Sequence, residues 1–338
     1  MRIAVPYGSG EQSADIPDRC ETTVVRPSPP ADADEEGVLA EALGRPLGAP
    51  TLEAFLEGAD ELVIVVNDAT RATPTARLLR MVHPAVSRVE SPTVIVAAGT
   101  HRAPTEEELR MILGDLHGFY RDRTLVHDAR DRSAMAAVGT TSRGNEVLLN
   151  RRVVHAERVL VLGSVEPHYF AGYTGGRKSL LPGVAAYETV ERNHALAMDP
   201  AAAPTALEGN PVHEEMEEAA ALVRGHRVWS VMTVVDADGD VFFAAAGGLR
   251  ESFEAAVGGA RDVFEAPVDR PADVVVAVAP PPMDGSLYQA HKALEHGNLA
   301  LREGGTIVLV SECPEGVGQT SFADLLSAAS TPEEAVRA

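Results

Sequence analysis

Cysteine is nearly absent: 338 residues contain Cys20 and Cys313 and no others. Two thiols so far apart in sequence leave no disulfide framework and no cysteine-based zinc site. Basic charge is also scarce. Lys and Arg number 29 against 50 Asp and Glu, a formal charge of −21, which repels nucleic-acid backbones and anionic membrane surfaces. An anionic small molecule would then require a local cluster of Arg and Lys inside a cleft. No window approaches the ~20 apolar residues needed to cross a bilayer. The opening MRIAVPYGSG lacks the basic and apolar regions of a secretory signal, so a reducing cytoplasm is the expected compartment. Hydrophobic residues nevertheless make up 45%. That suffices for a large core, and the length accommodates two or three domains.

Apolar strands alternate with helical patterns. Residues 1–6, 61–66 (ELVIVV), 92–98 (PTVIVAA), 158–162 and 273–278 (DVVVAV) read as strands, and 306–310 (TIVLV) closes a last β-α-β unit. Residues 227–235 and 241–246 flank DADGD as a hairpin. Short helices are expected over 51–57 and over 73–82, with Thr73 as N-cap and Pro74 as the first helical residue. Another begins near Thr105, where TEEE places acidic residues in the first turn. Further helices are expected over 211–223 and from about Leu287. The Pro-rich acidic stretch 27–37 reads as a loop. This alternation predicts an α/β fold with mainly parallel sheets flanked by helices. The stretch 264–271 (FEAPVDRP) marks a boundary between a domain of residues 1–266 and one of residues 270–338.

Three strands run directly into polar sequence: VVNDATR, AAGTHR and VLGSVEPHYFAG. Ligands of open α/β sheets bind at the carboxyl ends of strands, so Asp68, Arg71, His101, Arg102 and His168 are expected along one sheet edge. Asp68 and Arg71 alone fit a solvated turn, whereas beside His101 they form an anion clamp. His101 and His168 are candidate general acids or bases, because imidazole titrates near neutral pH. The densest segment is 166–194, EPHYFAGYTGGRKSLLPGVAAYETVERNH. It combines His168, Gly175, Gly176, Arg177, Lys178 and His194, groups that packing alone seldom requires together. Gly-Gly-Arg-Lys resembles a phosphate-binding loop in composition, but a Walker A sequence needs glycine directly before the lysine. Lys178 is instead a phosphate contact or a covalent attachment point. His194 could ligate a metal, although one protein ligand is too few unless a cofactor brings the rest. Tyr288, Gln289 and Lys292 lie on the predicted helix from Leu287. Gln289 and Lys292 share a face there, either as an ordinary solvated helix or pointing across an interdomain cleft at a substrate.

Taken together, NDATRATP, AAGTHRAPTEEE, VHDARD, EPHYFAGYTGGRKSLLPG, ERNH and SLYQAHKALE resemble, in order and spacing, the nickel-dependent lactate racemase family over about residues 60 to 300. The resemblance implies a 2-hydroxy acid racemase or epimerase, lactate racemase-like, with its active site in the interdomain cleft. The implied cofactor is the nickel pincer nucleotide, nickel pyridinium-3,5-bisthiocarboxylic acid mononucleotide. By position Lys178 would be its covalent tether and His194 the nickel ligand, with Asp68 near the cofactor ring. His101 and His168 would serve as acid/base groups on the two faces of the substrate α-carbon. Arg71, Gln289 and Lys292 would hold the substrate carboxylate. Phe170, Tyr173 and Tyr288 would shape the pocket for its side chain. The implied chemistry moves the α-hydride to the cofactor, passes through a planar 2-keto acid and returns the hydride to the opposite face. Cofactor-making and nickel-inserting enzymes would be transient partners. Members of that family usually continue past the position of Ala338, so the second domain is expected to be shorter here or incomplete.

Two other readings compete on the residues alone. A zinc hydrolase would draw its ligands from His101, His127 and His168, without an HxxxH or HxH pair to mark a compact set. A non-catalytic nucleotide- or metal-binding α/β protein would not require both His101 and His168.

Overall fold

The computed structural model describes residues 1–27, 34–223, 227–236, 239–318 and 320–337. Most of the expected loop over 27–37, the tip of the expected hairpin at 237–238 and His226 lie outside the described residues. The chain divides into two compact units, Arg26–Ala266 and Met1–Val25 with Pro267–Ala338.

Arg26–Ala266 is built on a six-stranded sheet. Its strands are β1 (Glu61–Asn67), β2 (Ser91–Ala97), β3 (Thr124–Val126), β4 (Arg158–Ser164), β5 (Val228–Val235) and β6 (Val241–Gly248). The spatial order is β6-β5-β4-β1-β2-β3. All pairings are parallel except the β5–β6 hairpin. Parallel strands are covered on both faces, which is why ELVIVV and RVLVLG read as unbroken apolar runs. Alternate residues go to opposite sides. Val63, Val65, Ile95, Val159 and Val161 enter one core, and Leu62, Ile64, Val66, Val94, Val96, Leu160 and Leu162 the other. Each such side chain is worth about 1.5–3 kcal/mol when fully buried.

The helices that position the site are α1 (Thr75–Val86), α2 (Glu106–Leu113), α3 (Tyr187–Ala195), α4 (Pro211–Leu222) and α5 (Leu249–Phe264). Helix α2 has the expected start: Thr105 caps it, with a reciprocal Glu108 bond completing a capping box. Helix α1 differs from expectation. Its N-cap is Pro74 with no side-chain cap bond; the Thr73 hydroxyl is instead 2.7 Å from that of Ser164 at the end of β4. Helix α5 was not anticipated, although Phe253, Ala256, Val257, Ala260 and Val263 form a clear buried stripe.

In the second unit, Ala272–Val278 pairs in parallel with Leu301–Val310. Helix α6 (Leu287–Asn298) buries Ala290 and Ala293 in a small cluster with Ala277 and Ala279. The sequence reading put residues 1–266 in one domain, whereas Met1–Val25 belongs to this unit. Two contacts account for the difference. Glu21 pairs with Arg270, and the Glu312 carboxylate occupies the space a side chain at Gly8 would fill. The first strand, Arg2–Tyr7, forms an antiparallel hairpin with Gly10–Asp15 and is mostly exposed.

Candidate active site

Strand β1 lies between β2 and β4, so the segments leaving the carboxyl ends of these strands are neighbours. Asp68 follows β1 directly. Its Oδ1 accepts from the Thr70 hydroxyl (2.7 Å) and the Thr70 N–H (3.1 Å), a local turn closed by the side chain. Its Oδ2 is 2.8 Å from Nδ1 of His101, which sits in the turn after β2. Asp68 is buried, and burial alone would push its carboxyl up. The bond and charge of His101, then Thr70 and Arg71, override that and hold it below the usual carboxylate range. An ionised carboxylate therefore grips one ring nitrogen of His101. Arg71 is near this pair, 3.4 Å from Glu166. Arg102 makes a two-point pair with Glu108, both contacts at 2.7 Å, and thereby reinforces the start of α2.

The segment after β4 folds into a short hairpin in which His168 pairs with Gly172. Nδ1 of the buried His168 accepts from the backbone N–H groups of Phe170 (3.4 Å) and Ala171 (3.2 Å). The Phe170 ring then touches three other members of the site. Its centroid is 4.6 Å from that of His168, 5.0 Å from that of His194 and 5.5 Å from the Lys178 amine. Lys178 is only 7% exposed. Its carbonyl accepts from Gly183 N–H, and the Gly183 carbonyl accepts from Gly99 N–H two residues before His101, both at 3.0 Å. One backbone path thus ties the lysine turn to the His101 turn.

His194 lies in the last turn of α3, and its buried Nδ1 has no hydrogen-bond partner. Burial first, and then the Lys178 charge, push this imidazole down to about 3; the Val190 carbonyl opposes them and the charge on His101 adds to them. It is a neutral ring. Helix α3 is bolted in place one residue earlier. The Asn193 amide donates to the Val212 carbonyl (3.2 Å) and to the buried Glu215 carboxylate (3.0 Å), which also receives the Asn145 amide (3.2 Å) and the Thr141 hydroxyl (3.0 Å). The sequence reading missed Glu215 and Asn193. Nothing in PVHEEMEE distinguishes a buried glutamate from its solvated neighbours.

The glycine-rich turn is tightly packed. Gly175 has φ +78° and Gly176 φ +52°, and a Cβ at residue 176 would lie 2.7 Å from Phe253. Arg177 is turned into the core at 1% exposure. It donates to the carbonyls of Ala171 (2.7 Å) and Gly175 (3.2 Å) and to His213 Nδ1 (2.9 Å), with Phe253 beneath it at 4.2 Å. A guanidinium so committed holds the turn and is not presented to a ligand phosphate. The Tyr173 hydroxyl, expected near a substrate side chain, donates to Glu265. His127 is also spent: Nε2 meets the Ala185 carbonyl at 3.0 Å and Nδ1 meets the Asn150 amide at 3.3 Å. The zinc reading loses a ligand there, and the described residues contain no group of three or more His, Cys, Asp or Glu able to hold a metal. On α6, the Lys292 amine donates to Gln289 Oε1, so these two share a face as expected.

Against known families, residues 7–205 match the lactate racemase N-terminal domain and residues 268–338 the lactate racemase C-terminal domain. The chain is 30% identical to a lactate racemase of Thermoanaerobacterium thermosaccharolyticum, covering 95% of this chain and 76% of that protein. A lactate racemase of Lactiplantibacillus plantarum is 29% identical, covering 89% and 71%. Among solved structures, the lactate racemase apoprotein of T. thermosaccharolyticum superposes over 100% of this chain and 80% of its own with a TM-score of 0.91 at 28% identity. A Thermotoga maritima protein matches over 81% of this chain and 70% of its own, with a TM-score of 0.65 at 20% identity, a likeness of fold. The chain belongs to the lactate racemase family.

Proposed function

We propose that this protein inverts the 2-carbon of a small 2-hydroxy acid, lactate or a close relative, with a nickel pincer nucleotide as cofactor. The observation that carries the reading is the buried pair at the centre of the site. A lysine amine and an imidazole with an unpartnered, fully buried Nδ1 both pack on the Phe170 ring. A buried polar atom without a partner needs an explanation, and a neutral imidazole beside a buried amine suits a metal-bearing group attached through that amine. Lys178 tethers the cofactor and His194 donates to the nickel. When bound, the cofactor supplies a reversible acceptor for the hydrogen and electron pair on the substrate α-carbon.

The chain's own residues handle the rest. Asp68 holds His101 so that its other ring nitrogen meets the substrate hydroxyl and moves its proton, help worth about 100- to 10,000-fold. His168 meets the substrate oxygen when it faces the other way. Arg71, near the Asp68–His101 pair, binds the substrate carboxylate. Phe170 keeps bulk water from the amine and the bare imidazole. Protein co-expressed with the cofactor-making enzymes, its nickel content verified, should convert at least one enantiopure acid from a panel of 2-hydroxy acids to the racemate on chiral chromatography. Nickel-loaded protein that inverts none of them would overturn the reading.

A further inference from the structure

Helix α3, which carries His194, is nine residues long, and its N-cap, Ala186, makes no side-chain bond to it. A helix of that length is marginal on its own. Its placement is set from outside, through the face that carries Thr189 and Asn193, which are four residues apart. The Thr189 hydroxyl donates to the Glu146 carbonyl (2.8 Å) and accepts from the Leu148 N–H (3.1 Å), tying the helix to the strand Glu146–Asn150. The Asn145 amide, just before that strand, donates to the Thr189 carbonyl (3.0 Å). These ties meet at Glu215 of α4. One of its carboxylate oxygens receives the amides of Asn193 (3.0 Å) and Asn145 (3.2 Å), and the other the Thr141 hydroxyl (3.0 Å). Thr141, Asn145, Thr189, Asn193 and Glu215 are all buried. Each asparagine NH2 faces a backbone carbonyl and this carboxylate. Neither amide can flip without setting oxygen against oxygen.

We propose that Glu215 is a positioning residue for His194: by holding Asn193 it fixes the rotation of α3 about its axis, and with it the direction of the imidazole. Successive residues of an α-helix point about 100° apart, so a locked Asn193 sets the bearing of the next side chain. That bearing brings His194 against the Phe170 ring, one turn beyond Val190 in the core. A rotation of about 10° moves an atom about 5 Å from the helix axis by about 1 Å. Misplacement on that scale costs about 100-fold in a reacting site. A carboxylate behind a metal-bound imidazole usually bonds to the second ring nitrogen. Here Glu215 acts one residue away, through the helix, and Nδ1 of His194 carries no bond. The role calls for acceptor atoms. A glutamine can supply it, with its oxygen toward both asparagines and its NH2 toward the Thr141 hydroxyl, which can accept. A leucine of similar size leaves those buried donors unpaired.

This inference rests on the reading of His194 as the nickel ligand, and the two fail separately. In ¹⁵N-histidine-labelled apoprotein, the His194 ring signals, assigned with His194→Gln, should shift and broaden in Asn193→Ala and in Glu215→Leu. They should stay in place in Glu215→Gln and in Leu113→Ala, a destabilising change in the other core. In loaded protein well below its melting temperature, Asn193→Ala and Glu215→Leu should lose nickel to a chelator about 10- to 100-fold faster than wild type, the usual effect of removing a supporting bond behind a metal ligand. Glu215→Gln and Leu113→Ala should lose it at close to the wild-type rate. If Glu215→Leu does not fold, Asn193→Ala decides the matter. Unaltered His194 signals in Asn193→Ala would overturn the inference. So would nickel loss as fast from Leu113→Ala as from Asn193→Ala, or as fast from Glu215→Gln as from Glu215→Leu. Wild-type protein that takes up no nickel would count against the racemase reading and leave the apoprotein spectra to decide this one.

Discussion

At the scale of single residues, catalysis depends on which atoms are already committed. Asp68 is committed to His101, so Asp68→Asn should lower kcat by about 100-fold or more, within the range for general-base help, while nickel content stays near wild type. An unchanged kcat would remove Asp68 from the proton path. Arg177 and Gly176 are committed to the turn that carries Lys178. Gly176→Ala forces a Cβ to 2.7 Å from Phe253 at φ +52° and should destabilise the fold by about 1–3 kcal/mol in urea titrations. Wild-type stability in that variant would contradict the packing account. The residue types of the site were legible in the sequence because Lys, His and Arg stand out in a strand-to-turn segment. Their orientation was not. GGRK looks the same whether its arginine meets a phosphate or, as here, the carbonyls of Ala171 and Gly175.

At the scale of elements, local chemistry decided what the sequence could reveal. The strands were legible because parallel sheets bury both faces, and α2 because its capping box is a contiguous signal. Helix α5 was missed because Gly258 and Gly259, poor helix formers, fall in the middle of its sequence, and the long-range Thr73–Ser164 bond that replaces the expected cap of α1 has no local trace. The α2 cap yields a test with a sign. Glu108 is held down at about 2, first by its bonds to Arg102 against the opposing effect of burial, then by Thr105. A depressed carboxyl stabilises the fold above its unfolded value of 4.5 and loses that contribution as pH falls through about 2. Thr105→Ala should cost about 1 kcal/mol at neutral pH. In urea titrations Glu108→Gln should destabilise at pH 7 and approach wild type near pH 2; equal destabilisation at both would contradict the assignment.

At the scale of the whole molecule, buried neutral imidazoles set the acid limit before most carboxylates do. His213 is pushed down to about 3 by burial, then by Arg177 and Arg250, and burial lowers His127 as well. An imidazole lowered on folding stabilises the protein above its unfolded value of 6.5. That contribution shrinks as pH falls from there toward the folded value, because the unfolded chain binds protons the native state excludes. The apoprotein should therefore lose thermal stability steadily between pH 6.5 and 4, with a shallower decline in His213→Gln. Family membership points to a racemase, and the proposed function places the seat formed by Lys178, Phe170 and His194 at its centre. Intact-protein and peptide mass spectrometry after co-expression with the cofactor-making enzymes tests that seat most directly. The account expects one adduct of nucleotide size, containing sulfur and nickel, on the peptide bearing Lys178 and absent from Lys178→Ala. Racemase activity in protein whose Lys178 is unmodified would contradict it.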